Sequence, residues 1–265
     1  MTFRQRPAPE HLALAIELAD EARALVRPRF RSRIVVEEKS DGSPVTDIDK
    51  AVEARLRARI RARFPGHGII GEESGAERLE ADWVWVLDPI DGTQSFILGK
   101  PTFATLIGLM FQGKPVLGVI EHPALGDRWV GAAGSPTVFN GEPARVRICT
   151  CVGEAALSTT GPNWFSRDEL AAFDRVRGGA KVQHWGGDCH SFGLVASGFI
   201  DLVIESSHHL HDFCALVPVI EGAGGVMTDW AGRALGVDGG PRVIAAGDRR
   251  VHAEALGLLG KANSW

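Results

Sequence analysis

The chain has 265 residues, 45% of them apolar and 23% charged, which is the profile of a folded globular protein and not of a disordered or fibrous one. That length suits one large domain or two modest ones sharing a cleft. A formal net charge of −4 offers no general basic surface, so nucleic acid is not expected as a partner, and an anionic substrate must be drawn by a local field.

Glu10, Glu17, Asp20 and Glu21 interrupt the segment after the basic start, so a signal peptide's apolar core is missing. No stretch approaches the roughly 18 uncharged apolar residues of a membrane span. Leu14, Leu18, Ala22 and Leu25 recur at near-helical spacing and predict an amphipathic helix that Pro28 ends. A strand over 33–37 leads into the polar loop Ser40-Asp-Gly-Ser-Pro44. A second helix follows Asp47, with Arg55, Arg57, Arg59, Arg61 and Arg63 expected on a solvated face. The apolar run Trp83-Val-Trp-Val-Leu87 reads as a strand. From Thr102 to Val138, apolar strands separated by turns predict an antiparallel meander. Asn140, Gly141 and Pro143 mark an expected boundary between an N-terminal half, 1–140, and a C-terminal half, 141–265. Strands and helices then alternate: strand 156–159, helix 169–176, a Gly186-Gly187 turn opening a helix, strand 199–205, helix 212–222, and a last strand and helix from Val243. Cys149, Cys151, Cys189 and Cys214 lack the spacing of a structural zinc site, so reduced thiols in a cytoplasmic protein are expected.

The chemistry concentrates in Asp88-Pro-Ile-Asp91-Gly-Thr93, directly after the 83–87 strand. Two carboxylates at a strand exit, followed by a Gly-Thr able to open a helix, set hard oxygen ligands beside free backbone N–H groups. That suits divalent cations and a phosphate together. Gly71-Glu72-Glu73-Ser74 follows another short apolar stretch, Asp47 and Asp49 lie further upstream, and Asp212 precedes a helical run ending in Glu221-Gly-Ala-Gly-Gly225. Four acidic clusters at strand exits are consistent with one shared site. Magnesium is the fitting ion, because it takes carboxylate, carbonyl and water oxygens and leaves positions for phosphate.

In this order the motifs resemble those of the inositol monophosphatase family of magnesium-dependent phosphatases, from about Lys39 to about Asp229. The resemblance implies a layered α-β-α-β-α sandwich of the α/β (α+β) class, shared with fructose-1,6-bisphosphatases, with the active site between its halves. It implies metal ligation by Glu72, Asp88, Asp91, Asp212 and the main-chain carbonyl of Ile90, with two or three Mg2+ per site and Mn2+ as a substitute. Glu73 either reaches a water near the metals or faces solvent, and Lys39 either lies by the metal loop or is exposed. The reaction implied is hydrolysis of a small phosphate monoester by activated water, in a homodimer. Thr93, hydrogen-bonded to Asp47, would pass the water's proton to that carboxylate, although its hydroxyl could also serve only as a helix cap. Gly92 and Thr93 would offer N–H groups to the phosphate.

Within the family, Phe96–Phe103, Trp185–Cys189 and Asp212–Pro218 look most like histidinol-phosphate phosphatases. Gly187 and Asp188 match the substrate loop, and Glu205 matches the position that reads the substrate's non-phosphate end. Two carboxylates there suit the ammonium of histidinol phosphate, though Asp188 could instead cap the helix that follows. The alternatives are an inositol-1-monophosphatase, another small-metabolite phosphatase of the family, or a silent metabolite-binding relative. Gln94, His184 and His211 depart from the pattern. His208, His209 and His211 lack cysteine partners and are expected in a solvated or substrate-gating loop rather than a zinc site.

Overall fold

The computed structural model describes residues 5–39, 42 and 44–260, so Ser40, Asp41 and Ser43 of the expected polar loop lie outside the described residues. Helix α1 (Pro9–Val26) buries Leu14, Leu18, Ala22 and Val26, a strict four-residue repeat. Leu25, expected on that face, is instead 41% exposed, because it lies about 100° round the helix from Val26. A short ribbon of β1 (Val36–Glu38) and β2 (Pro44–Thr46) leads into α2 (Asp47–Arg63). The Thr46 hydroxyl accepts the N–H groups of Ile48 and Asp49 at 3.2 and 3.4 Å, and the Asp49 carboxylate accepts the Thr46 N–H at 2.9 Å. This reciprocal cap fixes where α2 begins, and so where Asp47 stands.

The arginine row on α2 is not one solvated face. Arg57 is 4% exposed and donates to the buried Glu53 carboxylate at 2.8 Å, whereas Arg55, Arg59 and Arg61 pair with surface glutamates. A helix cannot keep alternate residues on one side, since each step of two turns about 200°.

The chain then builds β3 (Gly68–Gly71), β4 (Gly75–Glu77), β5 (Trp83–Asp91), α3 (Thr93–Ile97), β6 (Ala104–Phe111), β7 (Lys114–His122), β8 (Asp127–Ala132), β9 (Val138–Phe139) and β10 (Glu142–Pro143). Among the described residues, these strands form an eight-stranded sheet of order β10-β9-β8-β7-β6-β5-β3-β4, antiparallel except for β3 beside β5. Asn140 and Gly141 form the turn of the β9–β10 hairpin at its edge. The rest of the chain supplies β11 (Ala156–Thr159), α4 (Arg167–Arg177), β12 (Val182–Trp185), α5 (His190–Ala196), β13 (Leu202–Glu205), α6 (Leu210–Phe213), α7 (Leu216–Gly222), β14 (Val226–Asp229), β15 (Val243–Ala246) and α8 (Arg249–Leu259). Its five strands are ordered β12-β11-β13-β15-β14. The helix expected over 212–222 is broken in two. Pro218 has no N–H and its ring would clash with the carbonyl of residue 214, so it is tolerated only in the first turn of a new helix. Strands β12 and β14 escaped the sequence pattern; all four residues of β12 are exposed, so no alternation marks it.

The layers are α1 and α2, the eight-stranded sheet, α5 to α7, the five-stranded sheet, and α4 with α8: an α-β-α-β-α sandwich. Among the described residues, the larger apolar cores lie under α1 and α2, between the sheets, and under α4 and α8, with a smaller cluster of Val84, Val86, Met110 and Cys214. No described helix is long and apolar enough to cross a membrane.

The middle layer lies on a row of glycines. Gly108, Gly118 and Gly131 face one another across β6, β7 and β8. A Cβ on Gly108 would come within 2.6 Å of the Cys214 sulfur, and one on Gly118 or Gly131 would overlap the Ala215 or Pro218 carbonyl. The chain from Cys214, just past α6, to Val219 in α7 therefore packs directly on the sheet. Gly118→Ala should cost about 3 kcal/mol, since backbone on both sides leaves the methyl nowhere to go. Gly257→Ala on the exposed face of α8, where a Cβ meets nothing within 4 Å, should stabilise by about 0.5–1 kcal/mol. Denaturant melts of the two variants check the opposite signs.

Candidate active site

Three chain segments end together at the site. β3 and β5 run parallel, and the Glu72 N–H donates to the Leu87 carbonyl at 3.2 Å, so the two strands deliver Glu72 and Asp88 side by side. Between Asp88 and Asp91 the pairing of β5 with β6 slips in register, and the Pro89 carbonyl accepts the Thr105 hydroxyl at 2.8 Å. Proline brings no N–H to the ladder, so the irregularity costs little there. Gly92 follows at φ +79°, where a Cβ would also lie 3.3 Å from both the Asp188 carboxyl carbon and the Phe103 backbone. α3 then starts at Thr93, and its first-turn N–H groups have no partner within the helix.

α6 is the third segment, with His211 and Asp212 consecutive in it. Ligand atoms of Asp88, Asp91 and Asp212 lie within 4.8 Å of one another, and so do those of Glu72, Asp88 and His211. Asp88 belongs to both groups. It is 1% exposed, and its Oδ1 is buried with no hydrogen-bond partner among the described residues. Burial, and then the charges of Glu72, Asp91 and Asp212, push its carboxyl well above the ordinary range. Burial and the Asp212 charge do the same to Asp91, against a hydrogen bond from the Cys189 side chain; the Cys189 N–H also donates to Asp91 Oδ2 at 3.3 Å. An orphaned carboxylate oxygen common to two oxygen-rich groups fits a divalent cation centre, which Glu72, Asp88, Asp91 and Asp212 would hold. The Ile90 carbonyl, between the two aspartates in sequence, accepts the Thr93 hydroxyl at 3.0 Å.

Lys39 is not a free surface lysine. Its ammonium donates to Glu72 and to Glu73, each at 2.7 Å. Burial works against that charge, but the two hydrogen bonds outweigh it and hold the Lys39 pKa above its ordinary value. Burial, reinforced by repulsion from Glu72, pushes Glu73 up to about 7 despite Lys39. The loop carrying both glutamates is pinned from beneath by Glu53, whose carboxylate accepts the N–H groups of Glu73 and Ser74 at 2.7 and 2.9 Å. Arg57 neutralises Glu53 from the same helix, four residues on. Gly71 has to be glycine because Glu53 occupies the place of its side chain. The sequence signal for this support was an acid and an arginine at i and i+4 on α2.

Several expected contacts differ. Thr93 does not hydrogen-bond Asp47: its hydroxyl is committed to the Ile90 carbonyl, and Asp47 pairs through Oδ2 with Arg29 at 3.0 Å. Asp47 Oδ1 is left buried and unpartnered among the described residues, while α3 lies against β2, which leads straight into Asp47. Asp188 does not cap α5; it accepts the hydroxyls of Ser95, at 2.6 Å, and Thr102, tying the second half of the chain to α3. Gly187 leaves room for the Ser191 and Ser158 hydroxyls, which a side chain would hit. His184 hydrogen-bonds Ser158 at 3.2 Å, and Gln94 is exposed. Glu205 is 1% exposed, with its oxygens on the Thr160 N–H at 2.6 Å and the Thr159 hydroxyl at 3.1 Å. It therefore does not face an open pocket. His211 is helical and joins the acidic cluster, which corrects its expected place in a solvated or gating loop.

A layered sandwich with carboxylates converging at strand ends defines a metal-dependent phosphatase, an enzyme that hydrolyses phosphate monoesters. Residues 9–263 match the inositol monophosphatase family, and the chain belongs to it. It is 46% identical over 256 residues to the bifunctional phosphatase IMPL2, chloroplastic, of Arabidopsis thaliana, covering 93% of this chain and 74% of that protein. It is 36% identical over 236 residues to a histidinol-phosphatase of Chlorobaculum parvum, covering 86% and 89%. Among solved structures, an inositol monophosphatase from Zymomonas mobilis superimposes with a TM-score of 0.88 at 42% identity, covering 95% of this chain and 98% of that one.

Burial pushes Glu205 up to about 8 from its ordinary 4.5, against the hydrogen bonds from Thr160 and Thr159. The folded chain thus binds more protons than the unfolded chain between those values. The contribution of Glu205 to stability is therefore greatest below about pH 4.5, declines as pH rises, and levels off above about 8. Glu205→Gln should remove this slope, so that the variant gains stability relative to wild type as pH rises. Paired thermal melts from pH 5 to 9 measure the difference, and parallel curves would contradict it.

Proposed function

We propose that the enzyme converts L-histidinol phosphate to L-histidinol and phosphate, a step of histidine biosynthesis, with magnesium held by Glu72, Asp88, Asp91, Asp212 and the Ile90 carbonyl. The observation that carries the choice of substrate is Glu205, a buried carboxyl with no lysine or arginine partner among the described residues. Asp188 raises the pKa of both Glu205 and Asp91 by its charge, so acidic groups run from the carboxylate centre to Glu205. A substrate with a phosphate at one end and an ammonium at the other complements that line. The relative named histidinol-phosphatase supports the same reading. Reaching Glu205 requires Thr159 and Thr160 to give up its oxygens, and a cation compensates for that loss far better than a hydroxyl does.

Bound cations would lower the pKa of a water and stabilise charge on the leaving oxygen. The chain's own residues supply position. Gly92 and Thr93 offer N–H groups to the phosphate at the start of α3, and Gly187 lets the loop before α5 approach the substrate closely. Thr93 is proposed to change partner: once the Ile90 carbonyl serves as a ligand, the hydroxyl turns to the orphaned Asp47 Oδ1 and can hand on a proton. A homodimer and a cytoplasmic setting belong to the same proposal, the latter supported by four free cysteines.

Steady-state kcat/KM for L-histidinol phosphate against myo-inositol monophosphate tests the substrate. Glu205→Gln should lower the first by roughly ten- to a hundredfold, about 1.4 to 2.7 kcal/mol, and leave p-nitrophenyl phosphate hydrolysis nearly unchanged. Preference for the inositol ester would return the enzyme to the inositol-phosphate reading, and equal losses on histidinol phosphate and p-nitrophenyl phosphate would make Glu205 a support of the scaffold or metals. Thr93→Ala and Asp47→Asn should each lower kcat far more than they raise KM, and the double variant should lose little beyond the worse single one. Additive losses would separate the two residues.

A further inference from the structure

His211 is the one nitrogen donor in the two ligand groups, which are otherwise carboxylates. Its Nε2 lies 3.5 Å from Asp212 Oδ1, too far for a good hydrogen bond, and its ring makes no hydrogen bond to a described residue. Asp212 is turned elsewhere, since its Oδ2 accepts the His209 N–H at 2.6 Å and fixes the first turn of α6. Consecutive helical residues point about 100° apart, so Asp212 reaches the group of Asp88 and Asp91 while His211 reaches the group of Glu72 and Asp88. The ring of His209 stacks on that of His211 at 5.4 Å between centroids and limits its rotation. The buried, unpartnered Oδ1 of Asp88 belongs to the carboxylate common to both groups.

We propose that His211 is a metal ligand at the Glu72–Asp88 position, making one cation site of mixed nitrogen and oxygen donors beside an all-oxygen site. Imidazole binds divalent transition metals, zinc and cobalt above manganese, better than it binds magnesium, which prefers oxygen. The two positions then differ in selectivity: the Glu72–Asp88–His211 group, which can also hold magnesium, accepts a transition metal more readily than the all-oxygen Asp88–Asp91–Asp212 group does. This rests on the carboxylates being the metal centre and is independent of which phosphate ester is cleaved.

The test is titration of metal-free enzyme with Mn2+ alone, without substrate, followed by electron paramagnetic resonance. Wild type should show hyperfine coupling to a directly bound nitrogen, His211→Phe should lose it, and His209→Phe should keep it. The preference for Mn2+ over Mg2+, taken from their competing dissociation constants, should fall by about tenfold or more in His211→Phe. His211→Asn, which keeps a polar side chain on α6, should behave like His211→Phe, and circular dichroism of both variants reports folding. Manganese bound without nitrogen coupling, or coupling that survives in both His211 variants, would overturn this assignment and leave the carboxylate centre standing. No manganese binding by wild type would overturn both.

Discussion

The active site depends on how closely a helix can approach a sheet. Gly108, Gly118 and Gly131 clear a strip across β6, β7 and β8, and the backbone from Cys214 to Val219 lies on it. Asp212 and His211 immediately precede that segment. Their reach toward Asp88, on the neighbouring strand β5, is therefore fixed by backbone packed against backbone and not by a flexible loop. The approach also sets the Asp212 charge against Asp88 and Asp91, where burial first and that charge with it raise both pKa values. Packing energy gained between the sheets is what holds an electrostatically unfavourable cluster together.

The same arrangement recurs under the Glu72 loop. There a buried Glu53–Arg57 pair holds the backbone N–H groups of Glu73 and Ser74, and Lys39 bridges Glu72 and Glu73 from outside. Removing Arg57 would leave Glu53 as a buried unpaired charge, so the pair acts as a unit in fixing the loop. Among the described residues, the carboxylates at the centre have no lysine or arginine partner except Lys39, which pairs with Glu72 at the outer edge. The acid that supports the loop from beneath is thus paired with an arginine, whereas Asp88, Asp91 and Asp212 have no such partner among the described residues.

The local motifs were legible in the sequence because each is a contiguous run of unusual residue types at a strand exit: Gly71–Ser74, Asp88–Thr93 and Asp212. Their convergence follows from a parallel pair, β3 beside β5, that only topology supplies. What the sequence left obscure involves register or rotation. The glycine row needs the alignment of three strands, since Gly108, Gly118 and Gly131 are unremarkable one at a time. Arg57 looked like its neighbours because a run of alternate arginines hides which one faces inward. His211 read as part of a histidine-rich loop because α6 is only four residues long, too short to show a period. Glu205 stood out in the sequence as a candidate for the substrate's non-phosphate end, but its hydrogen bonds come from Thr159 and Thr160, some 45 positions away.

A phosphatase with net negative charge and a centre of buried acids repels its own substrate, and burial with neighbouring charge raises the pKa values of Asp88 and Asp91, which favours their protonated forms where no cation is bound. Divalent cations held by the same oxygens would compete with those protons and reverse the local sign of charge, so that a phosphate would meet an attractive field at the start of α3. Lys39 adds positive charge at the edge of the same centre, where its ammonium hydrogen-bonds Glu72. For the proposed substrate, the negative line through Asp188 to Glu205 would then face the cationic end.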